Sequence, residues 1–212
     1  MKNWIFKFLG ELRHEFLRIQ LQRLKYLKEN MKTALLVIDI QNDYFEDGTM
    51  TLIDSERTAE NAKLLLDRFR IEGSPIIHIQ HIATKPTATF FLPDTKGAEL
   101  YNTVKPLPTE KIIIKHFPNS FRETELLDYL KSNKIENLVI CGMMTHMCID
   151  ATTRGAKDFG FNCILIGDAC TTRDLSINGE TVKAKDVHNS FLAALNYFYS
   201  TVITTENYLN EN

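Results

Sequence analysis

Cys148 is the residue whose position most directly suggests chemistry. It follows an apolar run and a glycine in VICGMMTHMCIDATTRGA, residues 139–156, and it opens a stretch with helical character. If a helix begins near this cysteine, its unpaired backbone N–H groups and positive dipole end favour the thiolate over the thiol. The same N–H groups could bind the oxyanion of a tetrahedral intermediate. The competing interpretation is a small buried hydrophobic side chain, because free cysteine is among the most buried residue types.

Two charged residues at the ends of apolar runs could support a cysteine nucleophile. Asp39 follows the aliphatic residues of ALLVIDI, where a carboxylate is costly unless it is paired or used. It could take the thiol proton and later deliver it to a leaving amine. Asp43 competes for that role, and a loop-capping aspartate is the alternative. Lys115 follows the three isoleucines of IIIKHF. As a cation it would stabilise a thiolate and an oxyanion. The alternative is a strand-end lysine whose amine reaches solvent.

The histidines and the other cysteines do not indicate a metal site or a cofactor. His78 and His81 lie three apart in a predicted strand, so their side chains point to opposite faces of a sheet. No Asp-x-His follows them, and the chain has no CxxC pair. The first predicted strand is not followed by G-x-G-x-x-G, which argues against a dinucleotide cofactor. We therefore expect no metal and no cofactor.

Short apolar runs alternating with amphipathic stretches predict the elements that would position these residues. The runs lack period-two alternation, as expected of parallel strands that helices cover on both faces. In such sheets the ligand crevice lies beyond the carboxyl ends of the strands, which is where Asp39, Lys115 and the Cys148 turn are placed. The predicted strands are residues 34–40, 75–82, 111–116, 137–142, 162–169 and 201–205.

The composition is that of an ordinary globular domain. Of the 212 residues, 44% are hydrophobic and 25% are charged, and the net charge is −2. No basic stripe is interleaved with aromatic residues, which argues against a nucleic-acid partner. With no signal peptide, a cytoplasmic protein with four reduced cysteines is expected. The proline-rich segment 83–110 predicts a long loop that shapes a ligand pocket.

Residues 1–30 differ from the rest of the chain. They carry seven Lys/Arg and three Asp/Glu, a net charge of +4, and their apolar residues recur at close to helical spacing. We predict an amphipathic, basic, helical extension at residues 1–30, followed by one domain at residues 31–212. The extension is expected to pack on its own domain or a sister subunit, to lie on an anionic membrane surface, or to be loosely ordered sequence upstream of Met31.

Three segments together resemble the isochorismatase-like cysteine hydrolases, which include nicotinamidases, carbamoylsarcosine-type amidohydrolases and ureide hydrolases. The segments are LLVIDIQNDYF, IIIKHFPNSF and VICGMMTHMCIDATTRGA, and the resemblance runs from about Met31 to Leu209. It implies a three-layer α-β-α fold of the Rossmann-like α/β class, with a six-stranded parallel sheet in the order 3-2-1-4-5-6. It also implies a catalytic triad of Asp39, Lys115 and Cys148.

The resemblance extends to the surroundings of these three residues. It implies a cis peptide bond between Met143 and Met144, and an oxyanion hole made of the backbone N–H groups of Met144 and Cys148. Nicotinamidases carry a metal-binding Asp-x-His after the second strand, but the corresponding region here reads HIQHIATKPTATFF. This departure argues against nicotinamide as the substrate, though not against amide hydrolysis. The expected neighbours of the substrate pocket are Phe45, His81 and Thr145.

Residues and resemblance together predict a hydrolase that cleaves a C–N bond, of amide or ureide type, in a small molecule through a Cys148 thioester. Two alternatives remain open: an isochorismatase-type ether hydrolase, and a non-catalytic member that binds a metabolite or recruits a partner. The GMMTHMC string is similar to a bacterial subgroup of these hydrolases. The resemblance also implies a homo-oligomer, in which residues 1–30 would contact a subunit or a membrane surface.

Overall fold

The computed structural model describes residues 32–211, so the extension predicted at residues 1–30 lies outside the described residues. Within this range the chain forms eight strands and five α-helices. The strands are β1 (Lys32–Ile38), β2 (Ile76–His81), β3 (Lys111–Lys115), β4 (Ile135–Met143), β5 (Asn162–Thr171), β6 (Leu175–Ile177), β7 (Glu180–Val182) and β8 (Thr201–Ile203). The helices are α1 (Ser55–Glu72), α2 (Leu126–Ser132), α3 (Asp150–Asp158), α4 (Ala184–Phe198) and α5 (Thr205–Glu211).

Six of these strands form one sheet in the order β3-β2-β1-β4-β5-β8. The pairs β1 with β2, β2 with β3, β4 with β5 and β5 with β8 are all parallel. The predicted α/β fold with a six-stranded parallel sheet is therefore confirmed. The last strand of the sheet is the eighth of the chain because the antiparallel hairpin β6–β7 precedes α4. The sequence pattern did not predict this hairpin, since its strands are three residues long and largely exposed.

Helices cover both faces of the sheet, which explains the uninterrupted aliphatic runs. In β1, Leu35 and Val37 belong to the core on one face, whereas Leu36 and Ile38 belong to the core on the other. The first core takes side chains from α1 and α5, and the second takes them from α2, α3 and α4. No helix within residues 32–211 is both long enough and apolar enough to cross a membrane.

The long segment between β2 and β3 is anchored at its end by Glu110. This carboxylate accepts hydrogen bonds from Nε of Arg70 in α1 (2.7 Å) and from the backbone N–H of Leu107 (2.9 Å). Nε2 of the buried His78 in β2 lies 2.9 Å from the same carboxylate. Burial alone would raise the pKa of Glu110, but these three hydrogen bonds lower it to about 2. Glu110 therefore ties the segment both to the sheet and to α1.

Candidate active site

Three strands deliver the candidate catalytic residues to one edge of the sheet. β1 ends immediately before Asp39, β3 ends at Lys115, and β4 leads into the segment that holds Cys148. β4 passes very close to the end of β1 at Gly142, whose φ is +129°. A Cβ atom at this position would overlap the carbonyl oxygen of Ile38. Only glycine fits both the backbone angle and the space, so this residue permits the two strands to bring their ends together.

Lys115 is a fully buried lysine whose ammonium has three polar side-chain atoms close to it. Its Nζ forms an ion pair with Oδ2 of Asp39 at 2.6 Å and lies 2.9 Å from Nδ1 of His81 and 3.2 Å from Sγ of Cys148. A lysine ammonium has three donors and no acceptor, so it can only donate to these atoms. Burial alone would lower the pKa of Lys115, but the charges of Asp39 and Cys148 outweigh it and the pKa is raised. These four residues are called the Lys115 cluster below.

Cys148 lies in a short π-helical segment, Thr145–Ile149, that runs directly into α3. It is 6% exposed. Burial raises the pKa of its thiol well above the usual range, the carboxylate of Asp39 raises it further, and Lys115 acts in the opposite direction. The helix expected to begin near Cys148 starts at Thr145, directly after Met144, so Cys148 lies close to its first residue. A thiol whose pKa is raised needs a base beside it to react as a thiolate.

The two aspartates that competed for the role of base have different surroundings. Oδ1 of Asp39 has no hydrogen-bond partner among residues 32–211, and a carboxylate oxygen of Asp39 lies within 4.8 Å of the Cys148 sulfur. Both oxygens of Asp43, in contrast, are engaged in loop contacts. Oδ1 accepts from the hydroxyl of Thr49 at 2.9 Å, and Oδ2 accepts from the backbone N–H of Phe91 at 2.6 Å. Asp43 organises loops, whereas Asp39 is placed to receive a proton.

The other predicted residues occupy distinct positions around the cluster. The peptide bond between Met143 and Met144 is cis. The hydroxyl of Thr145 is buried and lies 2.9 Å from Nδ1 of His188 in α4, which fixes the start of the π-helical segment. The ring of Phe45 is buried and stacks on another aromatic ring with 3.5 Å between centroids. His81 is the predicted pocket residue that contacts Lys115 directly.

Two residues that the sequence analysis did not single out also belong to the site. The side-chain amide of Gln41 accepts a hydrogen bond from the backbone N–H of His81 (2.8 Å) and donates one to its carbonyl oxygen (2.9 Å). Tyr44 is buried, and burial raises the pKa of its phenol well above the usual range, with the charges of Cys148 and Asp39 adding to this effect. Both residues lie in DIQNDYF, so the motif itself carried the signal.

The donor atoms of Asp39, His81 and Cys148 are spaced closely enough to suggest a metal site. They all lie within 4.8 Å of one another. The ammonium of Lys115, however, is at hydrogen-bond distance from a donor atom of each of the three. A cation of the protein itself therefore occupies the position between them, and a metal ion would have to displace it.

Asp39, Lys115 and Cys148 of the Lys115 cluster are buried, whereas His81 is partly exposed. A groove of about 1040 Å³ is lined by Phe45, Tyr101 and the segment between β2 and β3, and a second cavity of about 320 Å³ is lined by Thr172 and His188 among others. Neither is lined by any residue of the Lys115 cluster.

The sequence and the fold of this chain are similar to those of several known proteins. A family model described as an isochorismatase domain matches residues 33–207. The isochorismatase family protein YddQ of Bacillus subtilis is 51% identical, over 84% of this chain and 99% of its own length. The crystal structure of an isochorismatase hydrolase from Oleispira antarctica is 43% identical, has a TM-score of 0.81, and matches over 85% of this chain and 97% of that chain. The nicotinamidase of Escherichia coli is 24% identical, over 75% of this chain and 89% of its own length.

Proposed function

The chain belongs to the isochorismatase family, and on that premise we propose that it is a cysteine hydrolase. Its reaction is the cleavage of a C–N bond, of amide or ureide type, in a small molecule. The observation that carries this proposal is the Lys115 cluster, in which one buried ammonium lies 2.6 Å from a carboxylate and 3.2 Å from a cysteine sulfur. Similarity to a nicotinamidase supports an amide as the bond that is cleaved.

The first half of the reaction forms a thioester on Cys148. Asp39 removes the thiol proton, and the sulfur attacks the carbonyl carbon of the substrate. Lys115 contacts both groups, so its charge stabilises the thiolate as it forms. Backbone N–H groups of Met144 and Cys148 hold the oxyanion. The protonated Asp39 then donates its proton to the leaving nitrogen, and the C–N bond breaks to release ammonia or an amine.

The second half of the reaction consumes water. Asp39, again a carboxylate, takes a proton from a water molecule whose oxygen attacks the thioester carbonyl. The C–S bond breaks, the sulfur receives the proton from Asp39, and a carboxylic acid leaves. Because burial raises the pKa of the Cys148 thiol, the reaction needs Asp39 to take the proton as the sulfur attacks.

Mass spectrometry of the intact protein after incubation with a panel of small amides tests this proposal. We expect an acyl adduct on Cys148, and neither adduct nor ammonia release in Cys148→Ala. Cys163→Ala is the matched control, because Cys163 has the same 6% exposure and no contact with the Lys115 cluster among the described residues. It should retain both adduct and turnover. Turnover that persists in Cys148→Ala would instead support the ether-hydrolase alternative.

Alkylation kinetics separate an enzyme from a non-catalytic, metabolite-binding member of the family. Cys148 and Cys163 are equally exposed, so exposure alone cannot make their rates differ. Within the described residues, Cys148 is the one with a carboxylate and an ammonium beside it. At pH 7 we expect iodoacetamide to modify Cys148 at least about tenfold faster than Cys163, and Lys115→Ala to reduce that rate. Equal rates at the two cysteines would contradict the proposed catalytic role.

A further inference from the structure

Lys115 fixes the tautomer of His81. Nδ1 of His81 lies 2.9 Å from Nζ of Lys115, and a lysine ammonium can only donate hydrogen bonds. Nδ1 therefore carries the lone pair, which leaves the proton of the neutral ring on Nε2. Burial and the charge of Lys115 lower the pKa of His81 to about 4, so the ring is neutral at physiological pH.

The backbone of His81 is held as firmly as its ring. The side chain of Gln41 accepts from the N–H of His81 and donates to its carbonyl oxygen, at 2.8 and 2.9 Å. The ring of Phe91 lies beside the imidazole, with 5.8 Å between centroids. Because the backbone and Nδ1 are both held in place, the Nε2–H bond has a defined direction. The two nitrogens point out of the ring in different directions, so the Nε2–H bond points away from Lys115.

The Nε2–H of His81 has no hydrogen-bond partner among residues 32–211. His81 is also partly exposed, whereas the other residues of the Lys115 cluster are buried. The imidazole and the Cys148 sulfur both contact Lys115, and a ring nitrogen of His81 lies within 4.8 Å of that sulfur. The ring and the sulfur are therefore close enough to contact one small molecule. An oriented and unpaired donor near a reacting atom is typical of a group that binds substrate.

We propose that His81 contacts the substrate, and that its Nε2–H donates a hydrogen bond to an acceptor oxygen adjacent to the scissile carbonyl. This inference rests on the proposed function and narrows the substrate class to small amides or ureides that carry a second carbonyl or carboxylate oxygen. A molecule without that oxygen leaves the donor without a partner in the bound complex. Loss of such a partner lowers binding or rate by about tenfold to a hundredfold.

Two amide probes and two variants test the contact. Malonamide carries the second oxygen, whereas isovaleramide has nearly the same shape with methyl groups in place of that oxygen and its nitrogen. We expect malonamide to acylate wild-type Cys148 about tenfold to a hundredfold faster than isovaleramide.

Two variants of His81 show whether this preference for malonamide depends on the Nε2–H donor. His81→Asn keeps an acceptor for Lys115 but has no donor at the Nε2 position, so it should lose the preference. His81→Gln keeps the donor but not the acceptor, so it should retain the preference while reacting more slowly with both probes. Retention of the preference in His81→Asn would overturn the proposal.

Nitrogen-15 NMR tests the same contact without any chemistry, in the Cys148→Ala variant. At pH 7 we expect the proton of His81 on Nε2, and a shift of that resonance on addition of malonamide but not of isovaleramide. A proton on Nδ1, or no shift at malonamide concentrations that exceed those used for acylation, would overturn the proposal. If the resonance shifts but wild-type protein forms no acyl adduct with any amide of the panel, the proposed function fails while the contact made by His81 stands.

Discussion

At the residue scale, the site depends on how a lysine charge is accommodated in the interior. Lys115 and Asp39 are both fully buried, and their charges are 2.6 Å apart. Two charges removed from water in this way depend on each other, because either one alone would remain unpaired in a medium that solvates it poorly. The same pair supplies the base and the cation of the proposed reaction, so stability and chemistry rest on one contact.

Lys115→Met should test this dependence. The variant leaves the Asp39 carboxylate without its counter-ion, and we expect the free energy of unfolding to fall by about 3–5 kcal/mol. The double variant Lys115→Met/Asp39→Asn removes both charges and should recover about half of that loss or more. Urea denaturation at pH 7 measures both values. A single variant as stable as wild type would show that the pair is not mutually dependent.

At the element scale, two contacts between elements set the geometry of the site. The first is the close passage of β4 along the end of β1, which Gly142 permits. The second is the anchor that Glu110 provides for the segment between β2 and β3, through Arg70 and His78. The first contact aligns the strand that carries Asp39 with the strand that leads to Cys148. The second holds the segment that borders the larger groove.

Gly142→Ala should disrupt the strand contact. Gly160→Ala is the matched control, because Gly160 also has a positive φ of +93° but no atom near the position of the added Cβ. We expect the control to lose about 1–2 kcal/mol of stability through backbone strain alone. Gly142→Ala should lose at least about 2 kcal/mol more because the methyl group overlaps the β1 backbone. If thermal denaturation shows the same loss of stability in both variants, the close approach of β4 to the end of β1 does not require glycine at this position.

Glu110→Gln should change the dependence of stability on pH. The pKa of Glu110 is about 2 in the folded protein, below its usual value of 4.5. Between these values the unfolded chain binds more protons, so the contribution of Glu110 is present above about pH 5 and is lost as the pH falls toward 2. Urea denaturation at several pH values between these limits gives the free energy of unfolding as a function of pH. This free energy should change less steeply with pH in Glu110→Gln than in wild type. The same pH dependence in both proteins would contradict the assigned hydrogen bonds.

At the scale of the whole molecule, the sequence predicted those features that have a local signal. Aliphatic runs predicted the parallel sheet, and charged residues at strand ends placed Asp39 and Lys115 at its carboxyl edge. Contacts between distant segments, such as Gln41 with the backbone of His81, have no local signal and required the structure. The same holds for the raised pKa of the Cys148 thiol, which depends on how deeply the fold buries the sulfur.

A protein that begins at Met31 tests the predicted division of the chain. The family match begins at residue 33 and β1 begins at Lys32, so every described element is retained in the truncated protein. We expect its thermal midpoint and its rate of Cys148 alkylation to match those of the full chain. Circular dichroism and the iodoacetamide assay provide the two measurements. An unfolded or aggregated product would show that residues 1–30 are part of the folding unit.

The carboxylate and the ammonium beside the Cys148 sulfur also determine where oxidative damage begins. Hydrogen peroxide oxidises thiolates far more readily than thiols. Among the described residues, Cys148 is the cysteine with both a base and a cation beside its sulfur. Irreversible oxidation should therefore reach Cys148 before the other three cysteines.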